Sequence, residues 1–232
     1  MMRGLFITGT DTNVGKTVVA AALMHRFRKE IPLRYWKPIQ TGIEQDDDTA
    51  TVRALAACDE SEIFDEGVRL KRPISPHLAA KVSGQKISTV QIYSLAAKNI
   101  GKESWIVEGA GGVLVPINDS EQMVDLARML SLPVVVVTST KLGTINHTLL
   151  TLEALRKRAL IIAGVVMVGD KNPQIRETIE AYGLVQVLGE MPTFPDLNRE
   201  TLSRWSRREL DELGVLLHHL KLAHHAHPQF KL

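Results

Sequence analysis

The sequence predicts an α/β fold, a single domain with a doubly wound, mainly parallel sheet. Short apolar runs alternate with helical stretches along most of the chain, which is typical of strands joined by crossover helices. Residues 134–137 are four valines without polar alternation, as in a strand buried on both faces. A chain of 232 residues fits one such domain and can bury a sizeable core.

Six apolar runs are the predicted strands. In order they are GLFITG, LRYWKP, SWIVEG, LPVVVVTS, IIAGVVMV and VQVLGE. Helices are predicted between or after them, over residues 17–30, 49–57, 89–100, 124–130, 144–158 and 173–182. No internal repeat and no linker rich in Gly, Ser or Pro divides the chain. We therefore expect residues 1–232 to form one domain.

Composition limits the partners and the compartment. A formal net charge of +2 gives no argument for nucleic acid or a membrane surface as partner. The single cysteine, Cys58, excludes an intrachain disulfide framework and fits a reducing compartment. No apolar run could span a membrane, and MMRGLFITGT lacks the apolar core and cleavage site of a secretion signal. We expect a soluble, cytoplasmic protein that binds neither nucleic acid nor membrane.

The chain ends in a His-rich tail, LLHHLKLAHHAHPQFKL, over about residues 216–232. A histidine cluster can bind metal adventitiously, but chain termini are commonly disordered. The prediction for this tail is a solvated helix end and a frayed terminus without function.

The stretch GTDTNVGKT lies between the first predicted strand and the first helix. Phosphate-binding loops have the pattern G-x-x-x-x-G-K-[ST] in this position; here Thr10 stands at the first glycine position and the glycine is Gly9. Gly15 would let backbone N–H groups close around phosphate oxygens at the positive end of the helix dipole. Lys16 would reach the terminal phosphates, and the Thr17 hydroxyl would bind Mg²⁺. A strand–turn–helix junction that contains Gly-Lys-Thr by chance is the disfavoured alternative.

Carboxylates at two places could complete a magnesium site. Glu108 ends the run SWIVEG and precedes glycines that permit close backbone approach. A strand-terminal glutamate is often a surface residue, but beside a phosphate loop it is better interpreted as a metal or phosphate contact. Another oxygen could come from Asp46, Asp47 or Asp48. Spacing alone does not choose among these three, and a solvated acidic loop is the alternative.

Lys37, in YWKPIQTG, ends the second predicted strand and would face the same strand-end crevice as Lys16. Two cations there suggest a substrate that becomes anionic, or phosphoryl charge that builds up during transfer. The alternative is an exposed loop lysine. From the residues alone we infer a Mg²⁺–nucleotide enzyme or switch, with Lys37 as the candidate second cation.

Five motifs together resemble the dethiobiotin synthetase family: GTDTNVGKT, KPIQTG, SPHLAA, VEGAGG and KLGTINHTLLTLEAL. The resemblance runs in order from Phe6 to about Pro192. It implies a P-loop NTPase-type fold and an enzyme of biotin biosynthesis. The implied reaction is ATP-dependent carboxylation and ring closure of 7,8-diaminopelargonic acid with CO₂ to give dethiobiotin, ADP and phosphate. It would proceed through a carbamate and a carbamic–phosphoric anhydride.

The resemblance also implies roles for individual residues. Lys37 and Lys16 would be catalytic, and Mg²⁺ would be bound by Thr17, Asp48 and Glu108, because DDDTATVRAL matches the family at its third aspartate. The nucleotide would contact Asn13, Val14, Gly15, Lys16, Thr17, Val18, Asp48, Glu108, Gly109, Ala110, Gly111, Val168, Gly169, Pro192, Thr193 and Phe194. The substrate would contact Thr41 in one protomer and Leu142, Gly143, Thr144 and Asn146 from its partner. A homodimer with sites at the interface follows.

Two positions depart from the family pattern. Asn13 stands where many relatives carry glutamate, which removes a negative charge beside the phosphates. Val168-Gly169 stand where the family recognises adenine with Asn-Asp, and valine cannot make the paired hydrogen bonds of an amide. We therefore predict weak selectivity for the base of the nucleotide.

Two other classes of protein are the alternatives. A nucleotide-dependent switch that positions other proteins would carry a lysine early in a GKGGVGKT loop, where this chain has Thr10 and Asp11. A glutamine-dependent amidoligase needs a second domain with a nucleophilic cysteine, and this chain has only Cys58. A pure binding module would not need Lys16 and Lys37 together.

Overall fold

A parallel sheet forms the centre of the protein, seen in a computed structural model that describes residues 2–222. The strands are β1 (Gly4–Gly9), β2 (Leu33–Trp36), β3 (Ile39–Thr41), β4 (Ile63–Phe64), β5 (Val68–Leu70), β6 (Ser104–Gly112), β7 (Val134–Ser139), β8 (Ile162–Val168) and β9 (Val187–Met191). Within these residues the main sheet has seven strands in the order β4-β2-β6-β1-β7-β8-β9, with every pair parallel. Strands β3 and β5 form a separate parallel ribbon.

Helices cover both faces of this sheet. They are α1 (Lys16–Phe27), α2 (Asp48–Ala56), α3 (Pro76–Val82), α4 (Thr89–Lys98), α5 (Met123–Leu130), α6 (Thr144–Arg156), α7 (Pro173–Gly183), α8 (Arg199–Glu209) and α9 (Val215–Lys221). Helices α1, α2, α8 and α9 bury apolar side chains on one face, and α3 to α7 bury theirs on the other. The predicted doubly wound α/β sheet is confirmed. Within residues 2–222, no helix has the length and apolar character that crossing a bilayer requires.

The valine run of β7 explains how the sheet is held between its two helical layers. Val134 and Val136 pack into one core, and Val135 and Val137 pack into the other. Because successive strand residues point to opposite faces, a strand covered on both sides needs apolar residues at every position.

The carboxyl ends of the parallel strands all meet at one edge of the sheet. Strand β1 lies in the middle, with β6 on one side and β7 on the other. The chain leaves β1 toward β2 and later continues from β7 in the opposite direction, so a crevice opens where the strand order reverses. The loop after β1, which contains the predicted phosphate-binding residues, is therefore in the position where such sheets bind ligands.

The prediction of a solvated tail from about residue 216 is wrong for residues 216–221. These residues belong to α9, and Leu216 and Leu220 are fully buried. The Ser104 hydroxyl donates to the Leu220 carbonyl at 2.6 Å, and the Asp211 carboxylate accepts from the Leu216 and Leu217 N–H groups. The later tail histidines, His224, His225 and His227, lie outside the described residues.

Leu220→Ala is expected to lower the free energy of unfolding by about 2–5 kcal/mol, because it leaves a cavity under α9. Urea denaturation of the variant and the wild type measures this difference. Leu213→Ala is the control, since Leu213 is 78% exposed and its truncation should change stability by less than about 0.5 kcal/mol. Equal stability of Leu220→Ala and wild type would show that α9 does not contribute to the fold.

Candidate active site

The turn between β1 and α1 wraps tightly around the side chain of Lys16. Lys16 Nζ donates to the Asp11 carbonyl at 2.9 Å across the loop. Gly9 has no room for a side chain, because an added Cβ would lie 2.7 Å from Val14 Cγ2. Gly15 precedes α1 with φ 98° and no side-chain cap, so the first N–H groups of the helix have no acceptor within it. This is the loop geometry that the phosphate-binding motif predicts.

Lys16 is buried beside a second cation. Its side chain is 7% exposed, and burial together with the nearby charge of Lys37 lowers the pKa of Lys16 from 10.5 to about 8. An incoming anion would have the opposite effect, since it stabilises the charged ammonium. The two neighbouring buried lysines therefore make this loop suited to binding a strongly anionic ligand.

Lys37 lies between two carboxylates. Its Nζ is 2.7 Å from Glu108 Oε1 and 2.6 Å from Asp48 Oδ2, and it donates to the Gly109 carbonyl at 3.1 Å. Because Lys37 is only 4% exposed, the alternative of an exposed loop lysine is wrong. Burial alone would lower the pKa of Lys37, but the charges of Glu108 and Asp48 outweigh it and raise the pKa. Lys37 is thus an ammonium at neutral pH.

The Thr17 hydroxyl completes a cluster of oxygen atoms around this lysine. Thr17 Oγ1 lies 2.8 Å from Asp48 Oδ1 and 3.0 Å from Glu108 Oε1. Burial would raise the pKa of Asp48, but Lys37 and the Thr17 hydroxyl lower it, so this carboxylate is ionised. Asp47 instead caps α2 by accepting from the Ala50 N–H at 3.0 Å. The structure thus brings Asp48, the third aspartate of the acidic run, into the cluster.

Two buried side chains that the sequence did not single out hold this cluster in place. The Tyr35 hydroxyl donates to Glu108 Oε2 at 2.8 Å, and Gln40 Nε2 donates to the Asp46 carbonyl at 2.9 Å, just before Asp48. Burial and the Glu108 charge raise the pKa of Tyr35 well above 10, so it remains a donor. Tyr35 precedes Lys37 by two residues, and strand alternation could have identified it as facing the same side.

Comparison with known proteins gives relatives over most of the chain. A family profile described as an AAA domain matches residues 3–201. The ATP-dependent dethiobiotin synthetase BioD of Paramagnetospirillum magneticum is 46% identical over 202 residues, covering 87% of this chain and 94% of the relative. The enzyme of the same name from Agrobacterium fabrum is 42% identical over 196 residues, covering 84% of this chain and 89% of the relative. The chain belongs to the dethiobiotin synthetase family.

Solved structures with low sequence identity share the fold of this dethiobiotin synthetase family member. A plasmid partition protein of Borrelia burgdorferi bound to AMPPNP superposes with a TM-score of 0.59 at 14% identity, covering 94% of this chain and 98% of that one. A ParA family ATPase of Chlorobium tepidum superposes with a TM-score of 0.56 at 13% sequence identity, covering 96% of this chain and 100% of that one. At these identities the likeness concerns the fold alone, and it agrees with the P-loop NTPase-type sheet.

The remaining nucleotide positions implied by the family motifs follow the strand ends. Asn13 is exposed with φ 56°, and Val14 is buried beneath the loop. Val18 lies half-buried in the first turn of α1. Gly109, Ala110 and Gly111 are the last part of β6, alongside the loop after β1. Thr41 ends β3 and is half-buried.

Some residues at the start of α6 and just before it are exposed to solvent, and others are buried. Leu142 is fully exposed, and Gly143 and Asn146 are exposed as well. Thr144, however, is 4% exposed and its hydroxyl donates to the Ser139 carbonyl. Its side chain is therefore not available to a ligand, and its N–H donates to the Lys141 carbonyl at 3.1 Å. The next N–H groups of the first turn, those of Ile145 and Asn146, have no side-chain cap and no acceptor within the helix.

The position that the family motifs imply for base recognition is apolar in this chain. The Val168 methyl groups lie 3.3 Å from where a Cβ would stand on Gly15, so Val168 packs beneath the phosphate loop. The Gly169 N–H donates to the Met191 carbonyl at 2.8 Å, and the Val168 carbonyl accepts from the Thr140 N–H. Beyond β9, Pro192 and Phe194 are half-buried and Thr193 is exposed.

A groove of about 420 Å³ runs between the phosphate loop and α6. Its lining combines apolar side chains, among them Val113, Leu114, Leu150 and Ala154, with the polar residues Thr10, Asp11, Thr12, His147 and Thr151. It opens at the carboxyl edge of the sheet, next to the loops that follow β1 and β6. The site thus combines a cationic end, formed by Lys16 and Lys37, with a groove whose lining is partly apolar.

Proposed function

We propose that this protein carboxylates and cyclises 7,8-diaminopelargonic acid with CO₂ and ATP, forming dethiobiotin, ADP and phosphate. Membership of the dethiobiotin synthetase family makes it an ATP-dependent ligase of biotin biosynthesis. The observation that carries the residue-level proposal is the buried Lys37, bonded to Glu108 and Asp48 beside Lys16.

Residues 13–18 bind the phosphates of the nucleotide in this proposal. The N–H groups at the start of α1 face the phosphate oxygens, and the helix dipole favours their negative charge. Lys16 swings from the Asp11 carbonyl to the γ-phosphate, where its pKa rises above the value of about 8 that it has without ligand.

The oxygen atoms of Thr17, Asp48 and Glu108 fit Mg²⁺. Magnesium prefers hard oxygen ligands and is commonly held by one or two carboxylates together with substrate phosphates and water. Within residues 2–222 no group of three or more His, Cys, Asp and Glu side chains could hold a metal, so the protein's share here is a hydroxyl and two carboxylates. When bound, Mg²⁺ would neutralise charge on the phosphate oxygens.

The two lysines account for the chemistry of the anionic intermediates. One amine of the substrate adds to CO₂ and loses a proton, giving a carbamate. The carbamate oxygen attacks the γ-phosphorus and ADP leaves; the second amine then attacks the carbonyl carbon and phosphate leaves. Lys16 and Lys37 place positive charge where carbamate and triphosphate approach each other, which lowers the barrier electrostatically.

The groove and the exposed α6 segment complete the substrate site in this proposal. The apolar lining between the phosphate loop and α6 suits the alkyl chain of the substrate. The distal carboxylate is bound by Leu142, Gly143, Thr144 and Asn146 of a second protomer, through the N–H groups at the start of α6. Leu142 is fully exposed in the single chain, which fits a residue that becomes covered in a homodimer.

Incorporation of isotope-labelled CO₂ tests the proposed reaction. The purified protein, the diamine, ATP and Mg²⁺ should give labelled dethiobiotin and one equivalent of ADP and phosphate. Omission of the diamine provides the background for ATP hydrolysis. Nucleotide hydrolysis without diamine-dependent label in dethiobiotin would reject the function.

We expect kcat/KM values for nucleoside triphosphates with different bases to lie within about tenfold of one another, because an apolar contact discriminates little between bases. Val168 offers no polar group, and the Gly169 N–H is already bonded to Met191. ATP, CTP, GTP and UTP are compared at matched Mg²⁺. Discrimination against all three alternatives beyond about a hundredfold, about 2.7 kcal/mol, would show that other groups recognise adenine.

Variants of Val168 separate hydrogen bonding from shape. Val168→Asn should shift the preference toward ATP, because an amide can pair with the edge of adenine. Val168→Ala removes bulk without adding an amide, so it should leave the relative preference among bases unchanged.

A further inference from the structure

Four threonine hydroxyls form a hydrogen-bonded cluster beside the phosphate loop. Thr138, the fifth residue of β7, lies at its centre and is fully buried. Its Oγ1 is 2.7 Å from Thr144 Oγ1 and 2.9 Å from Thr148 Oγ1, both on α6. The third neighbour of Thr138 Oγ1, at 3.1 Å, is Thr10 Oγ1 in the loop after β1. The cluster joins the start of the phosphate loop to the first turns of α6.

The direction of each bond follows from the available protons. A hydroxyl has one proton and two lone pairs. Thr144 donates its proton to the Ser139 carbonyl, and Thr148 donates its proton to Thr138. Because the Thr144 proton is used, Thr138 must be the donor in the bond between Thr138 and Thr144. That bond uses the single hydroxyl proton of Thr138. In the bond between Thr138 and Thr10, Thr10 must therefore be the donor.

The Thr10 hydroxyl consequently has its proton turned into the protein, and only lone pairs remain for the groove that Thr10 lines. A hydroxyl in this state can accept from an amine N–H but cannot donate to a carboxylate or phosphate oxygen. We propose that Thr138 is a positioning residue that, through Thr144, fixes Thr10 as the hydrogen-bond acceptor for an amino group of the substrate. This rests on the proposed function, in which the substrate carries two amines.

Thr148 allows this role to be separated from simple stabilisation. It contributes a buried hydroxyl to the same central residue, and it is as fully buried as Thr138. Its bond only fills a lone pair of Thr138, however, so removing it leaves the protons of Thr10, Thr138 and Thr144 where they are. A purely structural cluster would respond alike to loss of either hydroxyl.

The test compares steady-state kinetics of Thr138→Val, Thr138→Ser and Thr148→Val. In Thr138→Val the Thr10 proton loses its acceptor inside the protein. Accepting the amine N–H would then leave that proton unpaired against the valine or turned toward the amine, so the contact with the substrate is lost or offset. We expect KM for the diamine to rise at least about tenfold, the scale of one lost hydrogen bond, with kcat and KM for ATP changed less than about threefold. Thr138→Ser keeps the hydroxyl and should restore KM to within about threefold, as should Thr148→Val.

Thermal unfolding of all three variants shows whether each is folded at the assay temperature. An unchanged KM for the diamine in Thr138→Val, or an equal rise in Thr138→Val and Thr148→Val, would overturn the positioning role while the proposed function stands. A wild-type protein that forms no diamine-dependent product would instead reject the proposed function, and the role of Thr138 with it.

Discussion

Lys37→Ala is expected to reduce kcat/KM for dethiobiotin formation at least about a hundredfold, the scale of a preorganised electrostatic contact at a reacting group. The Lys37 ammonium is buried between Glu108 and Asp48 and stays charged because their carboxylates raise its pKa. It stabilises the carbamate and the developing phosphoryl charge in the proposed reaction. Nucleotide affinity should be largely retained, because in the proposed site the phosphates are bound by the loop after β1 and not by Lys37.

The measurement pairs product formation from the diamine with calorimetric titration of ADP. Lys157→Ala is the matched control, since Lys157 is an exposed lysine at the end of α6 that pairs with Glu153. Turnover near the wild-type value in Lys37→Ala would show that this lysine has no catalytic role. Loss of ADP binding together with activity would assign Lys37 to the nucleotide site instead.

The central strands could be predicted from the sequence because their pattern is local. A strand covered on both faces is apolar at every position, as residues 134–137 are, and it needs no knowledge of its neighbours to be recognised. Strand β4 has only two residues, Ile63 and Phe64, which is too short for any periodicity. Strands β3 and β5 are three residues each and pair with one another, so their existence depends on a contact that the sequence does not display.

The sequence analysis predicts no helix over α3 or α8 and a solvated helix end where α9 lies, because their apolar faces are short or interrupted by polar residues. Helix α8, RETLSRWSRRE, buries Leu202 and Trp205 in an otherwise polar segment, although its Asn198 cap was a signal for a helix start. Helix α9 contains adjacent histidines that suggested a solvated end. Its Leu216 and Leu220 are four residues apart, which is the spacing of one buried helical face.

The residues of the site that belong to recognisable sequence motifs could be predicted from the sequence. The loop around Lys16, the strand-end position of Glu108 and the convergence of Lys37 toward both follow from where parallel strands end. Spacing could not choose Asp48 from its neighbours, because that choice depends on where α2 begins. The contact of Tyr35 with Glu108 and the threonine cluster join residues 73 and 128 positions apart, so they exist only once the chain is folded.

Glu108→Gln and Asp48→Asn are each expected to raise the Mg²⁺ concentration for half-maximal activity at least about tenfold. Mutation of residues that only hydrogen-bond to metal ligands already lowers metal affinity or activity by about ten- to a hundredfold. Both changes replace an anionic oxygen ligand with a neutral amide. At Glu108 the effect is compounded: Oε2 accepts from Tyr35, while Oε1 accepts from Lys37 and lies 3.0 Å from Thr17 Oγ1. A glutamine has one acceptor oxygen and an NH₂ donor, so either Tyr35 or Lys37 would face a donor.

Asp46→Asn is the control for these variants, because Asp46 belongs to the same acidic run but enters the site only through its backbone carbonyl. Mg²⁺ is titrated against initial rate, and calorimetry follows the Mg²⁺ dependence of ADP affinity as a second readout. Unchanged titration curves for both Glu108→Gln and Asp48→Asn would reject these residues as metal ligands. A shift for Glu108→Gln alone would support Glu108 as a ligand and reject Asp48 as one. Asp48 would then only hold Lys37 in place, and an asparagine side-chain oxygen could still accept that hydrogen bond.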